Sequence, residues 1–209
     1  MTLSKNLSKH IRLLHKKKYR DKHNEFIAEG KKIVSDFLNS ALKVKYIVCT
    51  PEWKNSFRDS KVEVLETTTE EFKKISSQSN AAGILAVVEK RENSADLTSS
   101  DIILVLDSIR DPGNLGTIIR TADWFGIKHV VCSPDSVDCY NPKVVQSTMG
   151  SLARVNTFYS DLPQYLNTIS EKFTIYGTFL DGEPLPVEKS NIPIAIVIGS
   201  ESHGISSDL

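Results

Sequence analysis

Cysteine is scarce: Cys49, Cys132 and Cys139 stand at irregular spacing in 209 residues. They are too few for a disulfide framework and do not follow a zinc-site pattern, which favours a reducing, cytoplasmic compartment. Long apolar runs are also missing. Ile102 to Leu106 and Ile192 to Ile198 fall far short of the roughly 18 residues that a membrane span needs. The N-terminus is basic without an apolar segment behind it, so no signal peptide is expected. Charge of one sign does not dominate either, since 26 Lys and Arg balance 26 Asp and Glu. What remains, 40% hydrophobic and 25% charged, is the composition of a globular protein and excludes the disordered and fibrous classes.

The zero balance hides an asymmetry. Residues 1–90 carry 18 basic and 11 acidic side chains, a net of +7, and residues 91–209 carry 8 and 15, a net of −7. A basic half beside an acidic half suggests that one part meets a polyanion while the other does something else. The polar run Arg91 to Asp101, RENSADLTSSD, lies between two strand-like runs and reads as a linker. Expected domains are therefore residues 1–90 and 102–209, joined by 91–101.

In the first domain, Leu7, Ile11 and Leu14 recur at helical spacing between Ser4 and Lys18, which predicts a helix with a basic surface. Lys9, Arg12, Lys16, Lys17 and Lys18 are the candidate phosphate contacts, against the plainer reading of a solvated face. Glu29 to Asn39 predicts a second helix, and Val44 to Cys49 and Gly83 to Val88 predict strands, giving a small mixed α/β unit.

Beyond the linker, apolar strands alternate with helices. Strands are expected at Ile102 to Leu106, His129 to Cys132, Ala153 to Phe158, Phe173 to Phe179 and Ile194 to Ile198, and helices at Leu115 to Phe125, Pro142 to Met149 and Leu162 to Glu171. Such alternation indicates a mostly parallel sheet covered on both faces, with the ligand site beyond the carboxyl ends of the strands. Three polar, glycine-containing segments fall in this half. After Leu106, Pro112, Gly113 and Gly116 suggest a tight turn that leaves backbone N–H groups free to face a ligand, with Arg120 one turn further on to hold a phosphate or oxyanion. The plainer alternative pairs Arg120 with Asp123. After Ile198, Gly199, Glu201 and Gly204 form a loop leading toward a possible helix. His203 in that loop reads as a bystander. Tyr140 to Ser151 reads as a helix start and stop around Pro142 and Gly150.

Taken in order, NLGTIIRTA (Asn114 to Ala122), NPKVVQSTMGSLARV (Asn141 to Val155) and IVIGSESHGIS (Ile196 to Ser206) resemble the SpoU/TrmH family of RNA ribose 2′-O-methyltransferases, members of the SPOUT class of trefoil-knotted α/β enzymes. Residues 1–90, with FIAEGKKIV from Phe26 to Val34, resemble the ribosomal-protein-like RNA-binding domain that precedes the catalytic domain in many members. The resemblance implies S-adenosylmethionine as methyl donor, rRNA or tRNA as substrate, a homodimer, and neither metal nor membrane. It places Asn114, Arg120 and Glu201 at catalytic positions and Thr178, Ile198, Gly199 and Gly204 about the cofactor. Ser200 and Ser202 stand where Asn and Gly commonly flank the Glu. The family's third motif, with its Ser-Leu-Asn core and closing helix, does not precede Leu209. The knot segment is thus expected to be missing or incomplete, and the chain to be a fragment or an impaired enzyme that binds the cofactor poorly.

Two alternatives accompany this reading. A non-catalytic RNA-binding protein derived from the family would need no third motif. A nicotinamide-dependent oxidoreductase is suggested by the glycine turn and by Asp135 after the next strand, but Gly113 and Gly116 give G-x-x-G and not G-x-G-x-x-G.

Overall fold

The computed structural model describes residues 2–57, 60–94, 97, 100–184 and 192–209. Residues 95, 96, 98 and 99 of the expected linker lie outside them. Two compact units emerge, one of Met1–Arg91 with Asp138–Ala153, the other of Glu92–Val137 with Arg154–Leu209. Residues 138–153, expected in the second domain from their place in the chain, thus group with the first unit.

The first unit holds a four-stranded sheet in the order β1-β4-β2-β3, from β1 (Glu25–Glu29), β2 (Val44–Cys49), β3 (Glu63–Glu66) and β4 (Ile84–Glu89). β4 runs antiparallel to both neighbours, and β2 and β3 are parallel. Helices α1 (Lys5–Leu14), α2 (Lys17–His23), α3 (Lys31–Leu38) and α4 (Thr69–Ile75) belong to this unit. One core packs Ile11, Leu14, Ile27, Leu65, Phe72 and Leu85. Elsewhere Phe26 meets Phe37 and Tyr140 at ring-centroid distances of 5.5 and 4.7 Å.

The helix expected over Ser4 to Lys18 is two helices. Ser4 caps α1 by accepting from the Leu7 N–H, but Lys16 is extended (φ −101°, ψ 132°) and breaks the run. The carbonyls of Leu14 and His15, at the end of α1, are taken by the Arg20 guanidinium at 3.0 and 2.9 Å. Its Nε and Nη2 fork onto Asp138 Oδ2 at 3.0 and 2.7 Å. β1 has no counterpart among the sequence expectations, which begin a helix at Glu29. Its Glu25 and Glu29 are both buried, a placement that costs heavily without partners. His10 and Lys45 hydrogen-bond Glu25, and Ser76, Ser77 and the Ala82 N–H bond Glu29. β3 and α4 were likewise not expected.

The second unit is built on five strands, all parallel, in the order β7-β6-β5-β9-β8. They are β5 (Ile102–Leu106), β6 (His129–Cys132), β7 (Asn156–Tyr159), β8 (Thr174–Gly177) and β9 (Ile194–Ile198). Helices α5 (Pro112–Trp124) and α7 (Leu162–Ile169) belong here, whereas α6 (Pro142–Ser147) belongs to the first unit. Ile103, Val105, Val131, Phe158, Leu162, Leu166, Ala195 and Val197 share one core. β5 is central, and the chain winds outward from it first through β6 and β7, then returns through β8 and β9 on its other side. The strand order therefore reverses between β5 and β9, the place where an open α/β sheet leaves a crevice. No helix among the described residues is long and apolar enough to cross a membrane.

Arg20 and Asp138 are 3% and 9% exposed at the side chain, so removing one partner leaves the other charge buried. Arg20→Ala is expected to destabilise the protein by about 3 kcal/mol or more, read as a lowered midpoint in urea unfolding. A change below about 1 kcal/mol would show that the pair is dispensable.

Candidate functional site

The candidate site lies where β5 and β9 end side by side. Their register sets Leu106 opposite Ile198, so the segments that follow, 107–111 and 199–206, emerge together. Among the described residues, a cavity of about 720 Å³, within the usual range for small-molecule sites, is lined from these two segments, by Ser108 to Asp111 on one side and Ser200 to Gly204 with Ser206 on the other.

The first segment differs from the open glycine turn expected there. Asp111 caps α5, its Oδ1 accepting from the Asn114 N–H at 2.8 Å, and Pro112 opens the helix. Gly113 and Gly116 are therefore helical. Pro112 has no N–H and the cap has taken that of Asn114, so the row of free donors is not there. With a carboxylate at this end of α5, a dinucleotide pyrophosphate is also disfavoured. Asp135, the residue that suggested a ribose contact, is engaged by Arg110 (2.9 Å), Ser133 (2.7 Å) and Ser108 (2.9 Å). The Arg110 and Ser133 hydrogen bonds, with that of Ser108, hold its carboxyl down to about 2.

The second segment is a closed turn and not the start of a helix. Ser200 and Gly204 exchange backbone hydrogen bonds, each 2.9 Å. A Cβ on Gly199 would stand 2.0 Å from the Gly204 carbonyl carbon and 2.1 Å from its oxygen, so only glycine permits this closure. Gly204 itself has φ +69°. The turn presents Glu201, whose Oε2 accepts from Asn114 Nδ2 at 3.3 Å. Two residues 87 positions apart, both placed at catalytic positions by the family resemblance, thus meet. His203 Nδ1 lies 2.7 Å from the Ser202 hydroxyl.

The other candidate residues occupy different places. Arg120 is exposed on α5, outside the cavity lining. Asp123, its plainer partner, is instead forked by Arg154, with Nη2 2.7 Å from Oδ2. Among the described residues no side-chain hydrogen bond or ion pair engages Arg120, so its guanidinium is available. Thr178 follows β8 and is tied to the Val197 carbonyl through both N–H (3.0 Å) and hydroxyl (3.1 Å). Ile198 is half-buried, and its carbonyl accepts from the Asp107 N–H at 2.9 Å.

Residues that the sequence did not single out hold these loops. Asp107, 4% exposed, accepts from the Ser206 N–H (2.7 Å) and hydroxyl (2.6 Å) and from the Ser108 hydroxyl (3.1 Å). Its position directly after the central strand was a usable signal; Ser206 had none. In the first unit, Lys9, Arg12, Lys16, Lys17 and Lys18 are all exposed, and none makes an ion pair among the described residues. No group of His, Cys, Asp and Glu among the described residues could hold a metal ion.

The lowered Asp135 carboxyl predicts a pH dependence. A group whose folded pKa is depressed stabilises above its unfolded value, near 4, and loses that contribution as pH falls through the folded value, here about 2. The stability difference between the protein and Asp135→Asn should be present at pH 5 and shrink to nothing between about 4 and 2. It should be small, because Arg110 and Asp135 are 75% and 47% exposed and water screens the pair. A difference unchanged down to pH 2 would assign the effect to something other than this ionisation.

Residues 101–209 match the SpoU rRNA Methylase family, and residues 6–86 match the MRM3-like substrate binding domain. Among curated relatives, 23S rRNA (guanosine(2553)-2′-O)-methyltransferase RlmP of Bacillus subtilis is 31% identical over 199 residues, covering 94% of this chain and 79% of the relative. The mitochondrial rRNA methyltransferase 3 of Xenopus laevis is 28% identical over 202 residues, covering 89% of this chain and 48% of that one. Among solved structures, a TrmH-family protein from Porphyromonas gingivalis superposes with a TM-score of 0.88 at 35% identity, covering 100% of this chain and 85% of its own. An AdoMet-bound rRNA methyltransferase from Sinorhizobium meliloti gives 0.82 at 27% identity, covering 99% and 82%. With its parallel sheet, its paired Asn114 and Glu201 and these matches along its length, the chain belongs to the SpoU/TrmH family of RNA methyltransferases.

Proposed function

We propose that this protein methylates a ribose 2′-hydroxyl in rRNA or tRNA with S-adenosylmethionine as donor, in the cytoplasm and as a homodimer through its SPOUT-type catalytic domain. The carrying observation is the meeting of Asn114 and Glu201 at the reversal point of the parallel sheet, above a cavity of suitable size for a nucleoside cofactor. The cavity's serines, Arg110, Asp111 and Glu201 supply donors and acceptors of the kind such a molecule needs. Gly199, Gly204, Ile198 and Thr178 are assigned to its surround. The exposed Trp124 and Phe125 at the end of α5 are apolar surface that a second copy would cover.

S-adenosylmethionine supplies a methyl group on a sulfonium: the carbon–sulfur bond breaks as a carbon–oxygen bond to the ribose forms, leaving a thioether, a methylated ribose and one proton released to water. A ribose hydroxyl is a weak nucleophile. Arg120, which no side chain among the described residues engages, is assigned to stabilise the oxyanion as that proton departs, a role that needs positioning but no metal. The Asn114 amide and the Glu201 carboxylate, hydrogen-bonded to one another, are assigned to face the reacting ribose. Lys9, Arg12, Lys16, Lys17 and Lys18 are assigned to RNA phosphates, which position the substrate without reading its bases.

Arg120→Ala should lower kcat for methyl transfer to rRNA by ~10²-fold or more, the scale for deleting a preorganised charge stabiliser, while calorimetry shows unchanged S-adenosylmethionine affinity. Near-normal turnover would remove Arg120 from the mechanism. Replacing Lys16, Lys17 and Lys18 by Ala together should weaken binding to structured RNAs of unrelated sequence alike and make the fall of affinity with salt less steep. An unchanged salt slope would mark this face as merely solvated.

A further inference from the structure

We propose that Asp107 is a positioning residue for methyl transfer: through Ser206 it straps the Glu201 turn to the end of β5 and holds Glu201 against Asn114. The inference rests on the functional reading above and extends it to a buried carboxylate that touches neither Asn114 nor Glu201. Asp107 is the first residue beyond the central strand, and its N–H bonds Ile198 O at 2.9 Å, extending the β5–β9 pairing by one more bond. Its carboxylate then reaches past the whole turn to the far end. Oδ2 accepts from the Ser206 N–H at 2.7 Å and the Ser206 hydroxyl at 2.6 Å, and Oδ1 from the Ser108 hydroxyl at 3.1 Å.

Residues 199–206 are therefore closed at two levels. The Ser200–Gly204 exchange closes the turn on itself, and the Asp107–Ser206 pair fixes the closed turn to the sheet. Glu201 itself is exposed and bonds Asn114 at 3.3 Å, a long hydrogen bond. Such a contact cannot by itself locate an eight-residue segment, whereas short charge-assisted bonds to a nearly buried carboxylate can. Asp107 also meets Ser108, a non-glycine residue at φ +56°. The Ser108 N–H donates to Ser133 Oγ at 2.8 Å, and its single hydroxyl proton is shared between Asp107 Oδ1 at 3.1 Å and Asp135 Oδ2 at 2.9 Å. Strain of this kind persists where surrounding bonds over-determine the backbone, which is common at functional sites. Asp107 thus joins the turn that carries Glu201 to the segment that leads into α5 and Asn114.

The test uses the full chain and three variants, Asp107→Asn, Ser206→Ala and Ser206→Thr, each followed by hydrogen exchange and by steady-state methylation of rRNA. Asp107→Asn removes the charge and sets an amide N–H₂ against a donor. It should speed exchange in residues 199–206 and lower kcat by roughly 10²-fold, the scale for displacing a catalytic group by about 1 Å, with KM for RNA changed less than about twofold. Ser206→Ala keeps the backbone bond, so its loss should be smaller, and adding it to Asp107→Asn should cost nothing more, because both act through one contact. Ser206→Thr should restore exchange protection and kcat. If Asp107→Asn fails to fold, the Ala and Thr pair at Ser206 carries the same comparison. Faster exchange with kcat unchanged would overturn the positioning role, as would additive losses in the double variant or unchanged exchange in 199–206. An unaltered protein that transfers no methyl group to any rRNA would instead overturn the functional reading, while the exchange data would still report whether the strap exists.

Discussion

The parallel pairing of β5 with β9, from Ile102 opposite Ile194 to Leu106 opposite Ile198, is the constraint on which the candidate site depends. Paired residues of the two strands are 92 positions apart in the chain, yet hydrogen bonding fixes the strand ends to the same level. Every feature at the crevice follows from that register. The cavity has two walls because two loops emerge together, and Asp107 can reach Ser206 because its own N–H continues the ladder. A sheet wound outward in one direction only would have separated these loops by at least one strand.

Both units bury carboxylates, and both satisfy them. Glu25 and Glu29 flank Ile27 in β1, where His10, Lys45 and the Ser76–Ser77 turn supply donors. Asp138 takes the Arg20 fork, and Asp107 takes Ser206 and Ser108. Each burial is tolerable because donors converge on it, and each then fixes a segment that backbone hydrogen bonds alone do not hold. The cations assigned to RNA are outside this economy. Lys9, Arg12, Lys16, Lys17 and Lys18 are exposed, whereas two acids of residues 1–90, Glu25 and Glu29, are enclosed.

Much of the second unit was legible because its inner strands are largely apolar. Ile102–Leu106, His129–Cys132 and Ile194–Ile198 have the bounds that hydrophobicity suggests, since inner strands of a parallel sheet take mostly apolar side chains. Motif residues were legible as well: Asn114, Arg120 and Glu201 stand in segments whose order along the chain is distinctive. The first unit was harder to read. EFIAE from Glu25 to Glu29 does not look like a buried strand until His10, Lys45, Ser76 and Ser77 are seen around it. The break at Lys16 is likewise silent, because a run of lysines has good helix propensity and the carbonyls freed by the break are accommodated by Arg20.

By itself the sequence determined the α/β class of the chain, its basic and acidic halves, its apolar strands and the three motif segments that mark its family, because these depend on residue type and short-range order. Only the tertiary structure decided that α6 packs with the first unit, that Asp111 closes the expected anion-binding turn, that Asp123 belongs to Arg154 and that Asp107 holds the turn bearing Glu201. Those outcomes rest on which donor reaches which carboxylate across separations of 3 to 118 residues. Residue type limits such pairings, but the fold selects among them.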